Sequence, residues 1–557
     1  MNINSSINRS LEKENRAYHE DSRCDICTTD LAVRRGTWTT VDQLGELEAG
    51  GIPVFFDGKN VLLLPYSHTL VTGSTGTGKS EVIYKNQLRL LCNLPEKIRP
   101  SFLVTDLKGD ISQQQAEYLK NHGYEVLVFN MRDPYRSRRF NFLQQIFDDY
   151  LEAYEIERKL KSNQIRTNFG GGKYRTVEEA RDAASAHRLT VLDSIERTLT
   201  ELTHIMIPLD DPKDGMWIAG ARTMLKAIIY TMLNDAKNPD TGMVREMFTI
   251  SNVCRAAYST KDDCDDLVSW LHQAEDILCV KNAIAANYRI NAKVTRDGYV
   301  SSLNTPLGEY TSSSIAALTA TADDINLRDV AASEKPYAIF VITDDRQKAT
   351  NGICMMLINN LLAELTAAAD RSPSHSLPRD FVILADEFAN MPALPNLANK
   401  ITTLRSRRIW MMMAIQSAQQ LRLVYGEDVS EILHDNCDLH LFIGCNNDET
   451  KERFARSMGR RLGVKTSFNM SNDNNVSMTK GTEDVPVIRK SDLDALELGQ
   501  FYIRSRLSQN MRSEMIPHFR QPHDDEPLLS PDRHRHFDPN EFVYDIYEVV
   551  RKLNLDW

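Results

Sequence analysis

The 557-residue chain predicts an α/β fold: a mostly parallel P-loop sheet, covered by helices on both faces and interrupted by an all-α insertion. Three observations predict it. Short β-rich runs alternate with helical stretches, which indicates parallel strands joined by helical crossovers. Between about Phe142 and Ala332 the strand signals vanish and helical periodicity takes over. A complete GxxxxGKS stands between an apolar run and a helical stretch, the context that phosphate-binding loops require.

The runs that read as strands are Val61 to Leu64, His68 to Thr72, Phe102 to Thr105, Val126 to Phe129, Ile339 to Thr343, Phe381 to Ala385, Ile409 to Ile415, Leu439 to Ile443 and Phe501 to Arg504. Residues 1–50 are polar, lack a clear period, and read as a small appendage. The first part of the sheet domain takes 51–145, the all-α insertion 146–335, the second part of the sheet domain 336–520, and a linker with a final helix 521–557. In the insertion, Trp217, Ala221, Met224, Leu225, Ile228 and Met232 recur at helical spacing. Thr466 to Asp484, rich in Ser, Asn, Asp and Thr, reads as mobile. At the carboxyl end Phe542, Ile546, Val549, Val550 and Leu553 make one apolar helix face, which predicts packing against the sheet domain, with docking to a partner as the alternative.

The chain is 42% apolar and carries a net charge of −11, which argues against a surface coated for nucleic acid but leaves room for a local basic channel. One basic run in the insertion, Arg158, Lys159, Lys161, Arg166, Lys173 and Arg175, reads either as a DNA contact or as a solvated helix face. The nine cysteines are odd in number and several sit singly in apolar runs, which suits a reducing cytoplasm. Cys24 and Cys27 form one CxxC, two ligands short of a structural zinc site. No run approaches the ~18 apolar residues of a membrane span, and the polar start is not a signal peptide.

The chemistry-bearing string is Gly73-Ser74-Thr75-Gly76-Thr77-Gly78-Lys79-Ser80. Its glycines let backbone N–H groups close around phosphates at a helix amino end, where the dipole favours negative charge. Lys79 is placed to reach the β and γ phosphates of ATP and Ser80 to bind Mg²⁺. The strand Phe381 to Ala385 ends in Asp386 and Glu387, at the sheet edge where ligands bind in open α/β folds. Asp386 is then the Mg²⁺ partner and Glu387 the base that polarises water. Two more strand ends carry polar residues, Thr105 to Asp110 and Gln416-Ser417; a glutamine there can sense the γ-phosphate, although either site also reads as an ordinary turn.

These blocks, in this order, resemble the type IV coupling proteins of the TraG/TraD type. The resemblance rests on the P-loop, TDLKGD (Thr105 to Asp110), Arg139-Phe140-Asn141, DEFANMPALPNL (Asp386 to Leu397), Leu404-Arg405-Ser406, and AIQSAQQL (Ala414 to Leu421), and it covers roughly Val61 to Phe519. It implies a RecA-like motor assembled as a homo-hexameric ring, with assembly only on DNA left open. The ring would couple ATP hydrolysis to delivery of relaxase-bound single-stranded DNA, with duplex left open, into a type IV secretion channel. It assigns Lys79 and Ser80 to the P-loop functions, Asp386 and Glu387 to the acidic pair, and Gln416 to the third motif. Arg405 falls where the family has an arginine that acts across the subunit boundary, with surface charge alongside Arg407 and Arg408 as the other reading. Members usually begin with membrane-spanning helices. None is read here, so the expectation is a cytoplasmic protein, peripheral to the inner face of the membrane through partners. Two other functions stay open, a double-strand DNA translocase of the FtsK/HerA type and a nucleotide-dependent adaptor that does not pump.

Overall fold

A computed structural model of the chain describes residues 35–553 apart from 210, 260–264, 286–292, 323, 345–347, 471–475, 523–527 and 531–532. The Cys24 and Cys27 pair lies outside the described residues. Three short strands come first, β1 (Thr37–Thr40), β2 (Ile52–Phe56) and β3 (Asn60–Leu64). They form an antiparallel sheet of their own in the order β1-β3-β2. Val61 to Leu64, expected to open the parallel alternation, therefore belongs elsewhere. The reason is local: Asp57 and Gly58 turn the chain back, Gly58 at φ +97° and the Asp57 carboxylate accepting from the amides of Lys59 and Asn60 at 2.9 and 2.7 Å. Residues 37–50, read as appendage, are tied in by this sheet, with Leu44 fully buried among the β2 and β3 side chains.

The large sheet has nine strands: β4 (Thr69–Gly73), β5 (Ser101–Asp106), β6 (Glu125–Asn130), β7 (Tyr337–Ile342), β8 (Phe381–Ala385), β9 (Ile409–Ile415), β10 (Leu439–Gly444), and, after the hairpin β11 (Arg460–Met470) and β12 (Val476–Pro486), β13 (Gln500–Ser505) and β14 (Met511–Glu514). Its order is β14-β13-β10-β4-β9-β8-β5-β7-β6, with the seven strands from β10 to β6 mutually parallel, β13 alone reversed, and β14 antiparallel to β13. This is the mostly parallel α/β class that the strand and helix alternation predicted. Both faces are buried: Ile383, Met411 and Met413 enter one core, while Val382, Leu384 and Met412 enter the other. Two-sided burial is why these strands read as continuous apolar runs, not as alternating ones.

Between β6 and β7 every regular element in the described residues is helical, from Gln144–Lys161 to Leu327–Ala332. The longest helix, Val177–Met206, starts where the Thr176 hydroxyl accepts from the Glu179 amide. Ala221, Met224, Leu225, Ile228 and Met232 are buried along Gly215–Asp235, so the periodicity marked a real face. Arg139-Phe140-Asn141 fastens these helices to the exit of β6. Asn141 Nδ2 donates to the Phe248 carbonyl (2.8 Å) and to Thr321 Oγ1 (2.9 Å), and the Phe140 amide donates to the Leu318 carbonyl (2.8 Å).

Three further expectations change. In the polar stretch Thr466 to Asp484, read as mobile, residues 466–470 and 476–484 are strand, part of the eleven registered β11–β12 pairs from Arg460↔Pro486 to Met470↔Val476, and 471–475 lie outside the described residues. The final helix, Ile546–Lys552, packs on the helical region and not on the large sheet. The Tyr544 hydroxyl and Trp270 Nε1 both donate to Asp235 Oδ2, and Ile546, Val549 and Val550 are buried beside them while Phe542 stays 43% exposed. One helix among the described residues, Ala349–Arg371, is long and apolar enough to cross a membrane, contrary to the reading of no such run, but 67% of that apolar window is buried within the molecule. Met355, Leu357 and Ile358 pack in the core shared with the sheet.

Candidate active site at the carboxyl edge of the sheet

Parallel strands deliver their carboxyl ends to one edge. Here that edge collects Gly73 from β4, Asp106 from β5, Ala385-Asp386 from β8, Ile415-Gln416 from β9 and Gly444-Cys445 from β10. β9 separates β4 from β8, and with strands ~4.8 Å apart the tips of β4 and β8 stand about 10 Å from each other. A triphosphate and its metal fit that span.

The loop after β4 turns by glycine geometry. Gly76 and Gly78 take φ of +85° and +88°, the left-handed region that glycine enters without steric penalty. A Cβ on Gly73 would stand 2.7 Å from Thr77 Oγ1, so that strand end has no room for a side chain. The loop is braced internally by the Thr77 hydroxyl on the Ser74 carbonyl (2.8 Å) and from β10 by the Gly444 carbonyl accepting from the Ser74 amide (2.8 Å). The helix then begins at Lys79 with a wide first turn of i→i+5 type, Lys79–Tyr84, before continuing as Lys85–Cys92.

Lys79 is 6% exposed and its ammonium donates to the Gly73 carbonyl at 2.6 Å. Burial holds its pKa below the usual value, against the opposing pull of Asp386 and Glu387. Ser80 Oγ donates to Asp386 Oδ2 at 3.3 Å, which brings the two proposed Mg²⁺ ligands together across 306 residues of sequence. The Asp386 carbonyl accepts from the Thr105 hydroxyl at 3.1 Å, fixing the acid from the neighbouring strand. Burial pushes the Asp386 carboxyl up to about 6, helped by Glu387 and Asp106 and opposed by Lys79. A divalent cation there would favour the ionised carboxylate.

Glu387 adopts φ +51°, a left-handed conformation that a non-glycine residue avoids unless its surroundings impose it. Asn390 Nδ2 donates to its Oε2, Gln420 Nε2 reaches Asn390 Oδ1, and Gln416 Nε2 stands 3.5 Å from the same Glu387 oxygen. The structure therefore unites Lys79, Ser80, Asp386, Glu387 and Gln416, all expected from the sequence. It adds four participants without assigned roles: Thr105, Asn390, Gln420 and Gly444. Thr105, Asn390 and Gln420 lie in the blocks TDLKGD, DEFANMPALPNL and AIQSAQQL, and TDLKGD had also stood out as a charged turn ending an apolar strand. Its Asp106 turns inward, accepting from the Gly109 and Ser112 amides at 2.9 and 2.7 Å.

Arg405 is not part of this cluster. It precedes β9 while Gln416 follows it, and a seven-residue strand is roughly 23 Å long. Arg405 stands instead at the amino edge, ion-paired to Asp438. Its neighbours Arg407 and Arg408 pair with Asp370 and Asp380. The basic run at Arg158, Lys159 and Lys161 is answered by Glu155 and Glu157 on its own helix. Sizeable clefts lie elsewhere too, among them one of about 540 Å³ where the β6 exit meets the helices. Phosphate chemistry at the loop, not cavity size, locates the site.

The family described as Type IV secretory system Conjugative DNA transfer matches residues 18–485. No curated protein matches in sequence. In structure the chain is similar to the bacterial conjugative coupling protein TrwBdeltaN70 in its unbound monoclinic form, with a TM-score of 0.56 and 15% identity over 89% of this chain and 97% of that one. It is equally similar to plasmid coupling protein TrwB bound to the non-hydrolysable ATP analogue ADPNP, with a TM-score of 0.56 and 15% identity over 89% and 98%. Against TrwB with ADP and Mg²⁺ the values are 0.55 and 14% over 90% and 98%. At these identities the likeness is one of fold.

Proposed function

Because this chain belongs to the type IV secretory system conjugative DNA transfer family, we propose that it is the ATP-hydrolysing motor of that transfer, a coupling protein that binds ATP with Mg²⁺ and drives relaxase-bound DNA toward a secretion channel. One observation carries the ATPase half of this reading: Ser80, Asp386, Glu387 and Gln416 converge on the loop that holds Lys79. When bound, Mg²⁺ would supply charge neutralisation to the phosphates. The backbone amides of Gly76 to Ser80 hold the phosphates, and Lys79 leaves the Gly73 carbonyl to meet the γ-phosphoryl oxygens. Ser80 and Asp386 would hold the metal. Glu387, kept in place by Asn390, orients the attacking water and takes its proton, and Gln416 links that carboxylate to the γ-phosphate side. TrwB, similar in fold, was captured with ADPNP and with ADP and Mg²⁺, which supports these ligands.

The transfer half rests on the family. Single-stranded DNA is the proposed cargo, with the relaxase and channel components as partners and a homo-hexameric ring as the working assembly. Arg405 is proposed to complete a neighbour's site, because a permanently charged planar group suits the charge spread over the transferring phosphoryl. The six cysteines among the described residues are free, in keeping with the reducing cytoplasm proposed for it. ATPase rate should be measured with and without single-stranded and duplex DNA, alongside particle mass. Stimulation by single strands together with ring-sized particles is expected. A rate indifferent to DNA would overturn the translocation reading, and stronger stimulation by duplex would favour double-strand translocation.

A further inference from the structure

At the amino edge of the large sheet, Asp438 opens β10 with its side chain only 8% exposed, and two arginines converge on it. Arg405, which precedes β9, pairs with its Oδ2. Arg506, which follows β13, places Nε 3.9 Å from Oδ1 and donates its backbone amide to the Asp438 carbonyl at 2.9 Å. The two guanidinium side chains are 51% and 57% exposed. They line one small polar cleft of about 130 Å³ with His68, Thr402, Asn436 and Asp435. His68 brings no charge, since burial and then Arg405 push its imidazole down to about 4. Asp435 is exposed and also faces Arg504, so it does not answer the pair alone.

One buried carboxylate needs one cation. A second, brought in from a different strand, leaves positive charge directed outward with donors to spare, since each guanidinium has five N–H groups. We infer that Asp438 is a positioning residue that presents Arg405 and Arg506 together, as a two-arginine surface that meets the nucleotide of a second copy of this chain. The inference rests on the proposal that Arg405 acts across a subunit boundary. It adds Arg506 as a second cation on the transferring phosphoryl and Asp438 as the group that sets the spacing of the pair. The competing role for Arg506 is structural: its Nη1 donates to the Asp435 carbonyl at 2.9 Å, capping the helix Glu427–Asn436.

The test measures kcat, KM for ATP, melting temperature and particle mass for the full chain with single-stranded DNA. Arg506→Ala and Asp438→Asn should each lower kcat by about 10- to 100-fold at nearly constant KM, with Arg506→Lys recovering part of the loss. In an Arg405→Ala, Arg506→Ala background, Asp438→Asn should lower kcat no further, because it has nothing left to position. Mixing Arg506→Ala with Glu387→Gln subunits should restore activity in hetero-oligomers. If Asp438→Asn does not fold, the exposed Arg506 arm decides alone. Normal turnover in Arg506→Ala, or a kcat loss that only tracks a lower melting temperature and is not rescued by mixing, overturns the inference. The underlying reading has its own failure: normal turnover in Arg405→Ala would remove the trans-acting arginine altogether.

Discussion

The two edges of the nine-stranded sheet are built from the same strands and hold opposite inventories. At the carboxyl edge, loop, lysine, hydroxyl and acids from β4, β5, β8 and β9 touch one another within one chain. At the amino edge, arginines gather around Asp438 with no phosphate-binding loop near them. A parallel sheet enforces this split, since residues before and after a strand are separated by its full length. An arginine before β9 can serve a nucleotide only by facing another copy. Under the proposed function, binding and hydrolysis divide differently: one chain would hold what binding needs, and an assembly would supply what fast hydrolysis needs.

The sharpest way to break this contrast is at the carboxyl edge. Lys79→Ala should remove nucleotide binding and turnover together, whereas Glu387→Gln should retain ATP while turnover falls by about 10²- to 10⁴-fold, since the base acts in the chemical step. Equilibrium binding of a fluorescent ATP analogue beside a steady-state rate separates the two, and a wild-type rate in Glu387→Gln would end the assignment. The amino edge should respond in the other order. Arg405→Ala should keep ATP affinity and lose turnover by as much as about 10³-fold, on the order of 4 kcal/mol of transition-state stabilisation. Mixing it with Glu387→Gln should recover activity in part. Full activity in a strictly monomeric preparation would erase the distinction between the edges.

A control away from both edges sharpens it. Tyr544→Phe removes one of two donors to the buried Asp235, whose carboxyl burial pushes up to about 6. Chemical denaturation should show a loss of about 1 to 3 kcal/mol, with kcat per folded molecule unchanged. An equal drop in kcat would mean that stability, not chemistry, governs the variants above.

The pH dependence of metal-nucleotide binding is a smaller effect. Asp386 sits at about 6, above the ordinary 3.8, so the folded protein holds a proton that the unfolded chain releases between those values. Its ionisation therefore makes the apo fold less stable as pH rises from about 4 through 6, and MgATP binding must expel that proton below 6. Affinity for MgATP should fall several-fold from pH 7 to pH 5.5 in calorimetric titrations, and Asp386→Asn should flatten the slope. The smallest effect is expected in the basic run. Arg158, Lys159 and Lys161 are held by carboxylates on their own helix, so neutralising them should leave the salt dependence of DNA binding unchanged. A flatter slope would reveal a third charged surface, independent of either edge.

What could be read without coordinates follows from how far apart the cooperating residues lie in sequence. The loop from Gly73 to Ser80 is one contiguous string, and a buried strand ending in Asp386-Glu387 is another, so each announces its chemistry locally. The parallel sheet was legible because burial on both faces leaves unbroken apolar runs. Val61 to Leu64 misled because it has the same composition, and only the Asp57-Gly58 turn, a signal present in the sequence, marked it as half of a hairpin. The β11–β12 hairpin misled in the opposite sense, since backbone pairing does not require apolar side chains.

By itself, then, the sequence determined the α/β class, the helical run between β6 and β7, and five of the residues that meet at the carboxyl edge. Only the tertiary structure decided that Ser80 reaches Asp386 across 306 residues, that Asn390 and Gln420 steady Glu387, and that the last helix packs on Trp270 and Asp235. It also decided that Arg405 shares Asp438 with Arg506. The physical reason is the range of the forces involved. Strand and loop preferences act over a few neighbouring residues, whereas which carboxylate meets which arginine depends on strand order, and strand order is settled by burying two faces of the sheet at once.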